Sequence, residues 1–237
     1  MERGERGRSR QLVALTGAGC STESGIPDYR SPGGAWARHK PIYYHDFVRS
    51  EEVRRFYWAR SFRGWPRFAA ARPNAAHRAL TELEGRGRLD FLITQNVDDL
   101  HQEAGSRKVV QLHGRNRVVI CLDCRWEFSR VDIQRRLADS RIPDCERCGG
   151  ILKPDVVFFG EAVPPARVAL TVWSGFRFVK RAAERSIPIA IVNIGPTRGD
   201  DLATLKIEAK CGEALSAAVS NGERASRPHS PSVPLGE

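Results

Sequence analysis

The chain has little lysine, a single methionine and no long apolar run. Of its 38 basic residues only 6 are lysines. No stretch approaches the roughly 20 apolar residues that a membrane-spanning helix requires, so we expect no membrane partner. The opening MERGERGRSR mixes acidic and basic side chains and lacks an apolar core. We therefore expect neither a secretory signal nor a good transit peptide there.

The net charge of +10 comes from 38 basic residues against 28 acidic ones. The basic residues are spread along the chain, and no short segment combines a dense basic block with interleaved aromatic side chains. This pattern favours a solvated basic surface that can attract acidic proteins. We expect no nucleic acid partner.

Six cysteines in a chain without a secretion signal argue against a disulfide scaffold. Four of them form two Cys-x-x-Cys pairs, Cys121 with Cys124 and Cys145 with Cys148, and twenty residues separate the pairs. Four thiolates make the tetrahedral site that structural zinc prefers. Redox chemistry at one pair is the alternative, but such motifs normally occur singly. We expect one zinc ion with no open position for a catalytic water.

Short runs rich in valine, isoleucine and leucine alternate with helical patterns. The alternation predicts an α/β fold with a mostly parallel, doubly wound, Rossmann-like sheet. The predicted strands are 12–16, 90–94, 109–112, 156–159 and 187–194, and the predicted helices are 51–62, 74–84, 97–104 and 172–185.

Two insertions interrupt the alternation, a helical, aromatic-rich module over 34–87 and a small zinc module over 117–150. From residue 216 onward the sequence is polar, rich in serine and proline and without periodicity, which predicts disorder. The expected parts are a flexible N-terminus (1–10), one domain (11–215, with Rossmann-like parts 11–33, 88–116 and 151–215) and a disordered tail (216–237).

A glycine-rich turn follows the first predicted strand. Residues 17–30 read GAGCSTESGIPDYR, as a buried strand leading into a tight turn and a helix start would. Glycine lets the backbone approach a phosphate closely, and free amides at a helix start can hold it. The spacing of Gly17 and Gly19 alone is weak evidence, because many such pairs are ordinary turns.

The whole segment 17–30 resembles the cofactor-binding signature of the sirtuins, the NAD-dependent protein deacylases. TQNVDDLH at 94–101, LHG at 112–114 and the two cysteine pairs follow in that family's order. The resemblance covers about residues 11–215. It is nearest to the class II, mitochondrial-type branch called sirtuin 4-like, through STESGIPDYRS, YWARSF, KPDVVFFGE and IVNIGPTRGDDL. It implies NAD as cosubstrate, one structural zinc, and acylated protein lysines as substrates, with metabolic enzymes among the expected partners.

The resemblance also implies the residues of the NAD site. In sirtuins the first segment cradles the diphosphate, TQN-type residues surround the nicotinamide, and a later strand end grips the adenosine. Asp98 matches the acceptor of the nicotinamide carboxamide, and Tyr29 stands where the family usually has phenylalanine. Matched by position, the cofactor-binding residues are Gly17, Ala18, Gly19, Ser21, Ile26, Asp28, Tyr29, Arg30, Gln95, Asn96, Asp98, Asn193, Ile194, Gly195 and Cys211.

His113, which stands between Leu112 and Gly114, matches the catalytic base of the family. An imidazole with a near-neutral pKa can take a proton from a ribose hydroxyl at working pH. Taken alone, a histidine is more often structural, and the TQNVD string upstream decides for catalysis. His101 of that string is interpreted as a packing or capping residue.

KPDVVFFGE resembles the family's substrate-binding strand, along which an acyl-lysine peptide pairs as an added strand. Val157 and Phe158 match substrate-binding positions, and Phe158 is equally compatible with plain core. Tyr57 and Arg60 have the Tyr-x-x-Arg spacing that resembles the carboxylate grip of desuccinylating sirtuins, because helix positions three apart share a face. An amphipathic surface helix is the alternative explanation for this pair.

One unit of the family is missing from the sequence. Sirtuins carry a helix and a strand ending in Gly-(Thr/Ser)-Ser after the FGE strand, and this strand end binds the phosphate and ribose side of the cofactor. Here only eleven residues separate Gly160 from Val172, too few for a helix and a strand. We therefore expect an internal deletion that removes one wall of the NAD pocket.

Three functions stay open at this point. The first is NAD-dependent protein-lysine deacylation, and the second is protein mono-ADP-ribosyl transfer, which shares the first chemical step. The third is a catalytically impaired NAD- or peptide-binding variant. We expect the mitochondrial matrix as location for a eukaryotic source and the cytoplasm for a bacterial one.

Overall fold

The computed structural model describes residues 12–29, 32–34, 37, 40–138, 142–162 and 176–226. The expected flexible N-terminus, Arg30 and the expected tail beyond residue 226 lie outside these residues. The strands are β1 (Leu12–Thr16), β2 (Leu89–Thr94), β3 (Val109–Gln111), β4 (Gly114–Cys121), β5 (Glu127–Ser129), β6 (Leu152–Val156), β7 (Ala190–Val192) and β8 (Leu205–Ile207). The helices are α1 (Tyr44–Arg49), α2 (Glu51–Ala70), α3 (Ala75–Gly85), α4 (Leu100–Glu103), α5 (Arg130–Leu137), α6 (Phe176–Glu184) and α7 (Cys211–Ser226), with 3-10 turns at Ala18–Ser24 and Asp200–Leu202.

The sheet that positions the site is parallel, with β2 between β1 and β3. Thr16 pairs with Thr94, and Thr94 pairs with Gln111, so the three strands end at one edge. In parallel sheets ligands bind beyond this carboxyl edge. The predicted Rossmann-like α/β fold is confirmed, and the segments after β1, β2 and β3 meet at one place.

Helix α3 covers this sheet and begins at a capping box. The Asn74 side chain accepts hydrogen bonds from the backbone of Ala76 and His77, and His77 Nδ1 accepts from the backbone N–H of Asn74. These contacts satisfy amides that a helix start otherwise leaves without partners. On the buried face of α3, Leu80 packs with Leu89 and Leu92 of β2.

Helix α7 corrects the expected start of the tail. Disorder was expected from residue 216, but the helix continues to Ser226. Leu215 packs against the buried leucines of α3 and β2, and Val219 is buried. The burial of these apolar side chains offsets the low helix propensity of the serine-rich sequence around them.

The zinc module is an antiparallel sheet in the order β5-β4-β6, covered by α5. This corrects the strand predicted at 156–159, because β6 is Leu152–Val156 and runs antiparallel to β4. Val119, Ile133 and Leu152 form its core together with Trp58 of α2. The apolar run VVFF, residues 156–159, therefore continues beyond the end of β6.

Helix α2 also contacts the zinc module through polar side chains of α5. Pro66 has no N–H for the carbonyl of Phe62, and Gln134 Nε2 donates to that oxygen instead, at 3.0 Å. The buried Arg130 guanidinium lies 4.7 Å from the Trp65 ring centroid and donates to Ser61 Oγ at 3.0 Å. The helical insertion and the zinc module thus share one core.

Strands β7 and β8 form a separate parallel pair. Within the described residues, β1 pairs with β2 alone, and no strand joins β1 to β7. Leu12 and Val13 of β1 are 48% and 61% exposed, and α6 has no buried residue. None of the described helices is both long and apolar enough to cross a bilayer.

Candidate active site and zinc centre

The turn after β1 is tied to the segment after β2 by a network of side chains. Asn96 Nδ2 donates to the Gly17 carbonyl and to Ser21 Oγ, at 3.0 Å each. Ser21 Oγ donates to Asp98 Oδ2 at 2.7 Å, and Asp98 Oδ1 accepts from the backbone of Leu100 at 3.0 Å. The structure therefore brings four predicted cofactor residues into direct contact, and three of them, Ser21, Asn96 and Asp98, are buried.

His113 follows β3 at the same sheet edge. Its Nδ1 lies 3.0 Å from the backbone carbonyl of Gln95. A carbonyl can only accept, so Nδ1 carries the proton and Nε2 keeps its lone pair. Burial lowers the pKa of His113, while the hydrogen bond to Gln95 opposes that shift. The ring is thus held neutral, in the form that can accept a proton.

The predicted substrate segment is hydrogen-bonded directly to His113. The backbone N–H of Val157 donates to the His113 carbonyl at 2.9 Å. Phe158 lies 5.1 Å from Tyr57 and 5.2 Å from Phe47, measured between ring centroids. The Arg60 guanidinium lies 5.8 Å from the Tyr57 ring centroid. Tyr57 therefore lies beside both Phe158 and the other member of the Tyr-x-x-Arg pair, Arg60.

A buried ion pair holds the turn after β6, and sequence reasoning missed it. Lys153 Nζ lies 3.0 Å from Glu161 Oε2 and donates to the Val156 carbonyl at 2.6 Å. The Lys153 side chain is 2% exposed. Glu161 Oε2 also accepts from the backbone N–H of Phe158 at 2.7 Å. The signal in the sequence was a lysine and a glutamate at the two ends of an apolar run.

The cofactor loop is described only in part. The backbone N–H of Ile26 donates to the Ser21 carbonyl at 3.3 Å, which folds the loop back on the turn. Gly34 packs so closely on the loop that an added Cβ would lie 2.9 Å from Asp28 Oδ1. Tyr29 is 50% exposed.

The predicted adenosine side lies at the end of β7. A Cβ on Gly19 would lie 3.9 Å from Asn193 Oδ1, so this amide faces the turn that also contains Ala18. Asn193 Nδ2 donates to the carbonyls of Ile194 and Gly195, at 2.8 and 3.1 Å. The Ile194 side chain is 65% exposed and therefore does not close the adenosine side of the predicted pocket. The Cys211 thiol faces the Val192 carbonyl at 3.8 Å, so its sulfur lies beside the strand end that carries Asn193.

The four knuckle cysteines come together as one centre. Their sulfurs lie within 4.8 Å of one another, with 3.5 Å between Cys121 and Cys148 and 3.6 Å between Cys124 and Cys145. Bonds of about 2.3 Å to a tetrahedral zinc place sulfurs about 3.8 Å apart. These separations fit a ZnS4 centre and far exceed a disulfide bond of about 2.05 Å. The residues present fit the predicted structural zinc.

Comparison with known proteins agrees with this geometry. The Sir2 family model matches residues 17–174. NAD-dependent protein deacetylase 2 of Bradyrhizobium diazoefficiens is 47% identical, over 88% of this chain and 93% of its own length. The bovine NAD-dependent protein lipoamidase sirtuin-4, mitochondrial, is 45% identical, over 87% of this chain and 81% of its own.

A solved complex described as Sir2-p53 peptide-NAD+ superposes with a TM-score of 0.81. It is 32% identical in sequence, with 91% of this chain and 94% of that one covered. The family model, the sequence relatives and the solved structure all indicate the same family. The chain belongs to the Sir2 family, the sirtuins.

Proposed function

We propose that His113 is the general base of an NAD-dependent protein-lysine deacylase. Membership of the Sir2 family makes the chain a deacylase of the sirtuin type, with NAD as cosubstrate and a structural zinc. The observation that carries the role of His113 is its Nδ1 hydrogen bond to Gln95, which leaves Nε2 as an acceptor at the sheet edge. Acetylated protein lysines are the proposed substrates, and metabolic enzymes are proposed among the proteins that carry them.

In the proposed reaction the acyl carbonyl oxygen attacks the ribose carbon while nicotinamide leaves. His113 Nε2 then takes the proton of a ribose hydroxyl, and water finally releases lysine and acyl-ADP-ribose. The loop that carries Asp28 and Tyr29 excludes water early and admits it late. All the cofactor-binding residues that were matched by position to the family are part of this proposal, with the roles given above.

The peptide side of the site is proposed at Val157 and Phe158. The ion pair of Lys153 with Glu161 fixes the carbonyl of Val156 and the N–H of Phe158, which lie on either side of Val157. Val157 thus presents a fixed backbone to which an extended peptide can add as a strand. Arg60 and Tyr57 are proposed to favour acyl chains that end in a carboxylate.

A second candidate, an impaired NAD- or peptide-binding variant, is favoured by the split sheet. No described strand joins β1 to β7, and the outward residues of β1 are exposed. The alignment with the Bradyrhizobium relative runs over 254 positions but takes in only 88% of the 237 residues of this chain. Both observations support an internal deletion, and we propose that it lies where sirtuins carry the Gly-Ser-Ser strand.

Mass spectrometry of an acetylated peptide incubated with NAD tests the proposed reaction. Deacylation lowers the peptide mass by one acetyl group and yields acetyl-ADP-ribose. A peptide or protein that instead gains ADP-ribose establishes the transferase. No change in either mass, with NAD binding that is measurable but weak, establishes the impaired variant.

Calorimetric titration with NAD tests the deletion. Grafting a sirtuin helix and Gly-Ser-Ser strand between Ala169 and Val172 is expected to strengthen NAD binding by about two to four powers of ten. This estimate takes two charge-assisted contacts of about 1.5–3 kcal/mol each. A glycine–serine linker of the same length is the control. Equal, tight binding by the ungrafted chain would contradict the deletion account.

The branch and the location are proposed from the relatives. The mitochondrial sirtuin-4 of cattle supports the sirtuin 4-like branch, together with segments such as STESGIPDYRS and YWARSF. The Bradyrhizobium relative supports the cytoplasm for a bacterial source, and the bovine relative supports the mitochondrial matrix for a eukaryotic one. The division into the domain 11–215 with modules 34–87 and 117–150 is likewise a proposal.

A further inference from the structure

A second group of metal-ligating side chains lies in the core beside the cofactor turn. Cys20, His77 and His101 each offer one ligating atom, and these atoms lie within 4.8 Å of one another. All three residues are buried, and Cys20, the most exposed of them, is 4% exposed. They come from three segments, the 3-10 turn after β1, helix α3 and helix α4.

Two nitrogens of this group lack partners. His77 Nε2 and His101 Nδ1 are buried and make no hydrogen bond within the described part of the chain. Their rings lie 4.6 Å apart between centroids and are tilted by 54°. Buried ring nitrogens in native proteins are nearly always satisfied by a protein atom, a water or an ion. Two such atoms beside a thiol therefore point to a shared ligand.

The other ring nitrogen of each histidine can make a hydrogen bond of the kind found in metal-bound histidines. The Thr16 hydroxyl donates to Thr94 at 2.8 Å, so it accepts at 2.9 Å from His101 Nε2–H, and Nδ1 keeps its lone pair. His77 Nδ1 lies 2.9 Å from Asn74 Oδ1 and 3.2 Å from the backbone nitrogen of Asn74. Metal binding at Nε2 places the proton on Nδ1, which then donates to Oδ1 and gives up the hydrogen bond from that backbone N–H. Metal-ligating histidines usually donate their other N–H to such an oxygen.

The charges around the group favour a cation. The carboxylates of Asp98 and Glu23 carry negative charge near the Cys20 thiol. Both therefore favour a positive ion at this place. Imidazole binds metals in its neutral form, through a ring nitrogen with a free lone pair.

The distances between the three ligating atoms need to change little for a metal ion to bind. Three atoms separated by at most 4.8 Å share a centre no farther than about 2.8 Å from each, whereas zinc–nitrogen and zinc–sulfur bonds are about 2.0–2.3 Å long. A contraction of roughly half an ångström per ligand closes the site, within the range of small side-chain rotations.

We propose that Cys20, His77 and His101 form a buried site for a thiophilic metal ion, zinc or copper(I), separate from the four-cysteine centre. One thiolate and two imidazoles are ligands that such ions prefer. On binding, the S–H bond of Cys20 breaks, its proton leaves to solvent, and the sulfur bonds to the metal. The ion joins the cofactor turn to α3 and α4, next to the Ser21–Asp98 hydrogen bond.

Native mass spectrometry of the full chain counts the ions. The zinc-loaded chain, titrated with Zn²⁺ and in a second, anaerobic arm with Cu⁺, is expected to bind one further ion. Cys20→Ser, a near-isosteric change, is expected to lose it. Cys211→Ser is the matched control and is expected to keep it, because the Cys211 sulfur is not among the ligating atoms that lie within 4.8 Å of one another.

X-ray absorption gives a readout that needs no variant, at the zinc edge for the zinc arm and at the copper edge for the copper arm. The doubly loaded chain is expected to show nitrogen as well as sulfur ligands, whereas the four-cysteine centre alone shows only sulfur. A wild type that stops at one ion in both arms overturns the proposal. So does a further ion that persists in Cys20→Ser, or one bound without nitrogen ligands.

Discussion

The Nδ1 atom of His113 lies 3.0 Å from the backbone carbonyl oxygen of Gln95. Gln95 follows β2, and its own backbone N–H donates to the Thr16 carbonyl at the end of β1 at 2.9 Å. The orientation of the proposed base is therefore fixed by backbone atoms of two neighbouring strands. Sheet register, rather than a carboxylate partner, sets the tautomer of this imidazole.

The pH dependence of turnover is expected to reflect the burial of His113. Burial lowers its pKa below the ordinary value of about 6.5, and the base acts only when it is neutral. Activity should therefore persist below pH 6.5 and fall as the pH drops through the lowered pKa. The contribution of the neutral His113 ring to folding stability is likewise fully present above the pKa of this residue in the unfolded chain. It is lost as the pH falls through the lowered pKa of the folded state. A pH profile of kcat/KM with its acid limb above pH 6.5 would contradict this.

Breaking the ion pair of Lys153 with Glu161 is expected to destabilise the fold. Removing one partner of a buried pair typically costs about 3–5 kcal/mol, because the remaining buried charge loses that compensating charge. Glu161→Gln should thus lower the urea midpoint strongly, and Lys153→Met with Glu161→Gln should recover part of the loss. The exposed pair of Arg55 with Glu51 is the control, where Glu51→Gln should change little. Equal midpoints for the single and double variants would argue against coupling.

Gly150→Ala is expected to weaken zinc binding. An added Cβ would lie 2.1 Å from Asp123 Oδ2 and 2.9 Å from the Cys121 sulfur, so a ligand must move. Gly64→Ala in α2 is the control, since its Cβ would meet no atom within 4 Å and should stabilise the helix slightly. Metal analysis after dialysis against a chelator measures the effect. Full zinc retention by Gly150→Ala would show that the second knuckle adapts without loss.

Arg60→Ala is expected to lower kcat/KM for a succinylated peptide by at least tenfold and to leave an acetylated peptide nearly unaffected. The reason is that a guanidinium can form a charge-assisted pair only with the acyl chain that carries a carboxylate. Arg63→Ala, one turn farther on the exposed side of α2, is the control. Equal losses for both peptides would indicate that Arg60 is part of a surface helix and supports structure only.

Local patterns in the sequence predicted much of this molecule. The glycine turn, the TQNVD string and the cysteine pairs each carry their chemistry within a few residues. Contacts between distant segments could not be read in the same way. Examples are the antiparallel pairing of β6, which depends on β4, and the approach of Cys20 to His77 and His101, which requires α3 and α4 to pack beside the turn.

Pro66 illustrates the same limit for a single helix. Its missing N–H favours a helix end near Phe62, and the predicted helix does end there. The real helix continues to Ala70 because Gln134, a residue of another module, supplies the absent hydrogen bond. Likewise the packing of Leu215 and Val219 extends α7 into a sequence whose composition alone favours disorder.

The central claim is that this chain deacylates lysine with NAD through His113, and release of nicotinamide measures it most directly. The account predicts release that depends on an acetyl-lysine peptide and falls about 10²–10⁴-fold in His113→Ala, while NAD binding by that variant is retained. His45→Ala, an exposed histidine on α1, should match the wild type. Peptide-dependent release at the wild-type rate by His113→Ala would contradict the claim.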